Sequence, residues 1–335
     1  MMSLLLALLI ISLAIGAVPI APVEIFRIFG HKIGLATGID ETQELVLFNI
    51  RMPRLILTLL VGASLGLSGA VLQGMFRNPL VEPSIIGVSS GAALGTMVII
   101  MLLGAIAPQF VANSSLWLMP LFAFIGGLTA TVATLRLSRF EGKTQVTYLV
   151  LAGVAITALA QAFIGLSIFY ADDNQLRTYT FWTLGDLSAA TWEKLNVMVY
   201  PVAVSCTGLI LLARPLNAIA LGELEAFHTG VPVERVKLLA VLFSALAVGV
   251  SVAFSGIIGF IGLVVPHIIR ISFNPDHRLV LPASAIGGAC LLLVSDIFAR
   301  TVVAPAELPI GVVTAIIGTP FFIYLLRSSN KKRLV

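Results

Sequence analysis

Charged side chains are scarce in this sequence. Asp, Glu, Lys and Arg together make up 11% of its 335 residues, whereas a soluble globular domain carries about 25%. A soluble protein of this length needs a polar surface that so few charges cannot supply, and a disordered chain needs more of them still. The net charge of +4 is also too small and too scattered for a nucleic-acid-binding surface.

Cysteine, histidine and catalytic motifs are equally sparse. The two cysteines, Cys206 and Cys290, both lie in apolar runs, which indicates buried side chains rather than a disulfide or a metal site. The four histidines share no metal-ligand spacing. Gly142-Lys143-Thr144 imitates the end of a phosphate-binding loop, but Leu137 stands where that loop needs its first glycine. We therefore predict no metal, no bound cofactor and no enzymatic activity in this chain.

Apolar residues dominate instead, at 59% of the chain. Because a helix crosses the bilayer core with about 20 apolar residues, this length holds roughly ten spans. The sequence predicts an all-α polytopic membrane protein, with one transmembrane domain over residues 1–335 and no separate soluble domain. Charges, prolines and turn residues place the spans at 2–22, 52–75, 88–106, 116–138, 145–169, 195–213, 235–254, 257–270, 279–300 and 310–327.

The topology follows from the basic residues. An even number of spans places both termini on the same side of the membrane. The tail carries Arg327, Lys331, Lys332 and Arg333, and Lys and Arg concentrate on the cytoplasmic side. We therefore predict that both termini are cytoplasmic, which makes residues 214–237 the longest cytoplasmic loop.

An internal repeat is also predicted. Residues 62–69 read G-x-S-x-x-x-S-G, and residues 249–256 read the same. The second and seventh spans cross the membrane in opposite directions, so the repeat is inverted and relates spans 2–5 to spans 7–10, as in many transporters. Close helix packing through small residues is the alternative explanation for the pattern.

Three arginines lie on the side that the positive-inside rule disfavours. Arg51 and Arg54 mark the outer end of the second span, and Arg300 marks that of the ninth. One interpretation is that they anchor helix ends in the membrane interface. The other is a basic collar that meets an acidic partner outside the membrane.

Two segments on the cytoplasmic side interrupt the apolar pattern. Residues 77–83 contain Pro79 and Pro83, which forbid a continuous helix. Irregular backbone is tolerated there only where protein or water covers it, so this turn is predicted to line the inner mouth of a pathway. In the loop 214–237, residues 221–230 form a short helix closed by Gly230. That helix is either a solvated linker or a docking helix for a cytoplasmic partner.

Six ordered motifs combine these features. They are Arg51-Met52-Pro53-Arg54, Gly69-Ala70-Val71-Leu72-Gln73-Gly74, Arg77-Asn78-Pro79-Leu80, Gly259-Phe260-Ile261-Gly262-Leu263-Val264-Val265-Pro266-His267, Asp276-His277-Arg278 and Ala306-Glu307-Leu308-Pro309-Ile310-Gly311. Over essentially its whole length, the chain resembles the permease subunits of binding-protein-dependent ABC importers for iron–siderophores, haem and vitamin B12. The resemblance implies a homodimer in the bacterial inner membrane, two cytoplasmic ATPase subunits that carry ATP and Mg, and one periplasmic binding protein.

The resemblance also implies roles for individual residues. Docking of the binding protein is expected at Arg51, Arg54 and Arg300. The ATPase-coupling segment is expected to include Gly222, Glu223, Glu225, Ala226 and Gly230, and the cytoplasmic gate Asn78, Leu80, Val146 and Thr147. Haem is the favoured cargo because the stretch 222–237 looks most like the haem permeases, with a ferric siderophore or vitamin B12 as alternatives. An ion-coupled secondary transporter is the alternative of another class, although it would need ionisable groups at mid-membrane.

Overall fold

A computed structural model describes residues 1–35, 38–103, 108–140 and 143–332. Positions 104–106 of the predicted third span, Gly142 and Arg333 lie outside these ranges. The helices are α1 (Met2–Ala14), α2 (Pro22–Lys32), α3 (Glu41–Val46), α4 (Met52–Phe76), α5 (Val88–Val98), α6 (Pro108–Leu137), α7 (Val146–Tyr170), α8 (Asp173–Thr183), α9 (Trp192–Leu211), α10 (Ala213–Leu221), α11 (Glu223–His228), α12 (Val233–Ser255), α13 (Ile261–Ser272), α14 (His277–Thr301) and α15 (Ile310–Lys332). Strands β1 (Arg139–Phe140) and β2 (Lys143–Thr144) form a small antiparallel hairpin.

The predicted all-α membrane fold is confirmed. Among the described residues, six helices are long and apolar enough to cross a membrane, and four shorter apolar helices fall on the remaining predicted spans. The first span ends early, because α1 stops at Ala14 and Ile15 is already extended. Pro19 follows shortly, and a proline disfavours helical backbone in the residue before it. The second span begins early, because α3 and the π-helical turn Leu47–Arg51 run directly into α4.

Helix α4 occupies the centre of the molecule. Most of its side chains are buried, and it packs against α12, α13 and α14. Three of its glycines make this packing close. A Cβ on Gly62 would overlap the backbone of Gly288, one on Gly66 the carbonyl of Ser284, and one on Gly69 the backbone of Gly262. Small residues thus let helix backbones touch, as they commonly do inside membrane proteins.

Two short helices start within the bundle rather than at its ends. Helix α13 has 12 residues, which corresponds to about 18 Å, or roughly half of a 30 Å bilayer core. Helix α5 has 11 residues and continues directly into a π-helical turn at Ile99–Leu103. Each follows a break in the long helices, over residues 77–87 and 256–260 respectively, and the first break contains a short 3-10 helix at Pro83–Ile86. The breaks meet where Glu82 Oε1 accepts the Phe260 N–H at 2.7 Å. The turn predicted to line an inner mouth therefore reaches deep into the bundle.

Both halves of the chain follow the same order of elements. A long helix (α4 or α12) leads into a break, a short helix (α5 or α13) and a long helix (α6 or α14). The packing crosses between the halves, since α14 lies on α4 and α6 lies on α12. This order is what an inverted repeat requires, and the repeat itself stays a prediction.

Candidate functional site

Four charged side chains meet where α4 begins and α14 ends. The Arg54 guanidinium donates to Asp296 Oδ1 at 2.9 Å through Nε and to Glu307 Oε1 at 2.9 Å. Arg300 Nε lies 3.5 Å from Asp296 Oδ2, within ion-pair distance. Arg54, Asp296, Arg300 and Glu307 are called the four-charge cluster below. They link the start of α4, the end of α14 and the segment before α15.

The four-charge cluster is buried on one side and open on the other. Arg54 is 9% exposed and Asp296 is 1% exposed, whereas the Glu307 side chain is 40% exposed. Arg54 and Glu307 line a cavity of about 490 Å³. Glu307 is therefore the accessible charge of the cluster, and the guanidinium groups lie behind it.

Arg51 lies next to this cluster but binds backbone instead of carboxylates. Its guanidinium donates to the carbonyls of Leu13, Ala14 and Val18. The last carbonyls of a helix lack partners within the helix, and a cation at this end also matches the helix dipole. Arg51 thus caps the C-terminus of α1.

The structure brings together the three arginines of the predicted basic collar. Arg51, Arg54 and Arg300 do lie close together, because Arg51 and Arg300 both bind the end of α1 and Arg54 and Arg300 both face Asp296. Arg51 and Arg54 are only 5% and 9% exposed, and their guanidinium groups donate to carbonyls at the end of α1 and to the carboxylates of Asp296 and Glu307. Their role in docking stays a prediction.

Sequence reasoning missed the acidic half of the cluster. A signal was present for Asp296, because it stands four residues before Arg300 on the same helix and such pairs face each other. A lone carboxylate in an apolar helix also needs a partner. The pairing with Arg54, distant in the sequence, left no local signal.

The predicted gate residues of the first break are exposed. Arg77 adopts a left-handed conformation with φ 50° and ends α4. Asn78 Oδ1 then accepts the Leu80 N–H at 3.0 Å, which fixes a tight turn. Asn78 and Leu80 both lie on the surface of the protomer, and Leu80 is 40% exposed.

The other two gate residues, Val146 and Thr147, begin α7, which packs against the first break. Further along α7, Gly153 packs on the Ile85 carbonyl and Ile156 on Gly87. Val146 and Thr147 precede these contacts on α7, and the Asn78 turn precedes them on the break. Thr147 is exposed and Val146 is half-buried.

Two glycines shape the predicted coupling segment. Gly222 joins α10 to α11 with φ 156°, and a Cβ there would overlap the Glu225 carboxylate. Gly230 follows α11 with φ 83°, a left-handed conformation that glycine adopts without strain, and donates to the Phe227 carbonyl at 2.9 Å. Between them, Ala226 is 1% exposed and anchors α11 to the bundle.

The coupling segment presents apolar side chains that the sequence analysis did not single out. Leu221, Leu224 and Phe227 are 81%, 71% and 68% exposed. Leu224 and Phe227 stand three residues apart on α11 and so share one face of that helix, and Leu221 precedes them across the Gly222 turn. Leu224 and Phe227 line an open cavity of about 620 Å³. Large apolar side chains exposed in this way are typical of an interaction surface. Leu221, Leu224 and Phe227 are called the apolar coupling surface below.

Comparisons with known proteins give a consistent result. The model of the FecCD transport family matches residues 4–328. The hemin transport system permease protein HmuU of Yersinia pestis is 41% identical over 98% of this chain and 96% of its own length. A vitamin B12 import system permease protein BtuC, from Klebsiella pneumoniae, is 40% identical over 98% of this chain and 92% of its own length. The solved structure of an inward-facing metal-chelate type ABC transporter aligns with a TM-score of 0.84 at 33% identity, covering 98% of this chain and 97% of that one.

Proposed function

The chain belongs to the FecCD transport family and is a permease of an ABC importer, and on this basis we propose that its cargo is haem. The full-length similarity to the hemin permease HmuU carries this proposal. Family membership decides against the ion-coupled secondary transporter. The driving energy then comes from ATP hydrolysis on a partner subunit, and this chain itself needs no bound cofactor.

The proposed assembly contains two copies of this chain in the bacterial inner membrane, with both termini in the cytoplasm. The outer face of α7 supports a second copy. Leu151 and Val154, which share one face of the helix, are both exposed there, and α7 has few buried side chains for so long an apolar helix. A partner helix from the second copy would cover this face and leave a pathway between the two chains.

Two ATPase subunits are proposed to bind the coupling segment, which includes Gly222, Glu223, Glu225, Ala226 and Gly230. The apolar coupling surface supports this assignment, since a short amphipathic helix commonly docks into a groove of its partner. ATP and Mg would be held by the ATPase subunits. Their closure would move α11 and, through it, the gate at Asn78, Leu80, Val146 and Thr147.

A periplasmic binding protein is proposed to dock at the end that carries Arg51, Arg54 and Arg300. The four-charge cluster supports a particular mode of docking. Glu307 is exposed and holds Arg54, so an acidic residue of the binding protein would replace Glu307 as the partner of that guanidinium. Such an exchange adds little net affinity but fixes the register of the complex.

Transport assays with purified components test the cargo. The chain is reconstituted in vesicles with its ATPase and binding protein, and uptake of haem, a ferric siderophore and vitamin B12 is measured with and without ATP. Haem uptake that requires ATP is expected. ATP-driven uptake of vitamin B12 without haem would transfer the assignment to a corrinoid, the cargo that the BtuC similarity favours. Uptake of haem that ignores ATP would contradict an ABC mechanism.

A further inference from the structure

Lys237 is a buried cation near the start of α12. It is 3% exposed, and its ammonium group has three acceptors. Nζ lies 2.7 Å from Glu223 Oε2, 3.3 Å from Glu234 Oε1 and 3.0 Å from the Thr144 carbonyl. A buried ammonium is stable only with such partners. These contacts therefore hold the three acceptors in place around Nζ. The four residues are called the Lys237 clamp below.

The clamp joins three separate elements. Glu223 opens α11, and Glu234 and Lys237 belong to α12. Thr144 ends the β-hairpin, two residues before α7 begins. Its amide also donates to Glu234 Oε2 at 2.6 Å, so Glu234 and Lys237 together hold both backbone polar groups of Thr144. The hairpin that leads into α7 is therefore fastened to α12, and α11 is fastened to the same ammonium.

We propose that Lys237 is the positioning residue that transmits movement of the coupling segment to the gate. This inference rests on the proposed function, which places the ATPase at α11 and the gate at the start of α7. A displacement of α11 moves the Glu223 carboxylate, and Lys237 follows because water cannot readily replace a partner of a buried ammonium. Thr144 follows Lys237, and Val146 and Thr147 follow Thr144 along the chain.

The alternative is a purely structural clamp that only stabilises the fold. The variant Lys237→Met separates the two roles, because methionine fills similar space without the charge. The carboxylates left behind can hydrate, since the Glu223 and Glu234 side chains are 45% and 38% exposed. Arg136→Met is the control, because it removes an exposed cation at the end of α6, outside the cavity that Leu224 and Phe227 line.

The test uses the complete complex of permease, ATPase and binding protein in lipid nanodiscs. Thr147→Cys is introduced after Cys206 and Cys290 are replaced by serine, and the rate of maleimide labelling is measured with and without a non-hydrolysable ATP analogue. In the parent complex and in Arg136→Met, the analogue should change the labelling rate several-fold. In Lys237→Met, the ATPase should still copurify, but the analogue should no longer change the rate. Lys237→Arg should restore most of the change.

Each other outcome overturns a defined part of the argument. If the parent complex does not retain the ATPase, or if the analogue does not change its labelling rate, the proposed function itself is contradicted. A normal response in Lys237→Met contradicts the clamp alone. If Lys237→Met does not fold, Glu223→Met repeats the test, because it removes the attachment of α11 to Lys237 while Lys237 keeps Glu234 and the Thr144 carbonyl as partners. A normal response to the analogue in Glu223→Met, with the ATPase still bound, then refutes transmission through Lys237.

Discussion

The four-charge cluster predicts that two carboxylates on the same arginine differ greatly in their contribution to stability. Asp296→Asn removes the buried charge that faces both Arg54 and Arg300. Glu307→Gln removes the exposed charge that faces Arg54 alone. Both variants preserve side-chain shape and one acceptor oxygen, so the comparison isolates the effect of the charge.

The magnitudes follow from burial. Asp296 is 1% exposed, and removing one partner of a buried ion pair costs about 3–5 kcal/mol because the other charge is left unpaired. The retained amide oxygen places Asp296→Asn near 3 kcal/mol, or about a hundredfold in the folding equilibrium. The Glu307 side chain is 40% exposed, so solvent screens its pair and Glu307→Gln should cost about 0–1 kcal/mol.

Equilibrium unfolding in mixed detergent micelles, followed by tryptophan fluorescence, measures both values. Double-mutant cycles with Arg54→Met then give the coupling of each carboxylate to the arginine. A strong coupling to Asp296 and a weak one to Glu307 are expected. Equal costs below about 1 kcal/mol for both variants would refute the buried cluster, since two solvated ion pairs would give that result.

Glu307→Gln also tests docking of the periplasmic binding protein. Because this variant weakens the hold of the exposed side chain on Arg54, it should strengthen binding of the periplasmic protein. Raised salt should weaken binding of the periplasmic protein to the wild type, because salt screens the charges that attract the two proteins. If neither Glu307→Gln nor raised salt changes the affinity for the binding protein, Arg54 has a structural role only.

Three further predictions concern backbone geometry and the gate. Gly66→Val should reduce the yield of folded protein, because its Cβ meets the backbone of α14, whereas Gly165→Val has no atom within 4 Å of the new Cβ and serves as the control in a thermal-stability assay. Gly230→Val should lower transport and stimulated ATP hydrolysis while the protein still inserts, because φ 83° strains a β-branched residue by about 1–3 kcal/mol; normal stimulated hydrolysis would contradict this. Leu80→Cys with Thr147→Cys should form a crosslink across the dimer axis in one nucleotide state only, and a crosslink in every state would argue against a moving gate.

The long helices could be predicted from sequence because apolar length alone specifies a membrane span. The short polar helices could not be found by that criterion, although α2 carries a signal. Ile25 and Ile28 stand one turn apart and are both buried, the pattern of a helix with one apolar face. The pairs Arg54–Asp296 and Lys237–Glu223 join residues from different elements, and such contacts depend on packing that local pattern does not encode.

The two copies of the G-x-S-x-x-x-S-G pattern differ in how closely their glycines pack. In α4, Gly62 and Gly69 each allow a neighbouring backbone to approach within the space of a Cβ. In the second copy, Gly256 follows α12 with φ 69°, and a Cβ there would overlap the Trp182 carbonyl, whereas Gly249 meets only side chains, the nearest at 3.4 Å. Close backbone packing therefore accounts for Gly62, Gly69 and Gly256 but not for Gly249. Because a Cβ on Gly249 makes only ordinary van der Waals contacts, Gly249→Ala is the substitution among these four glycines that the fold should tolerate, with a thermal-stability assay as the measurement.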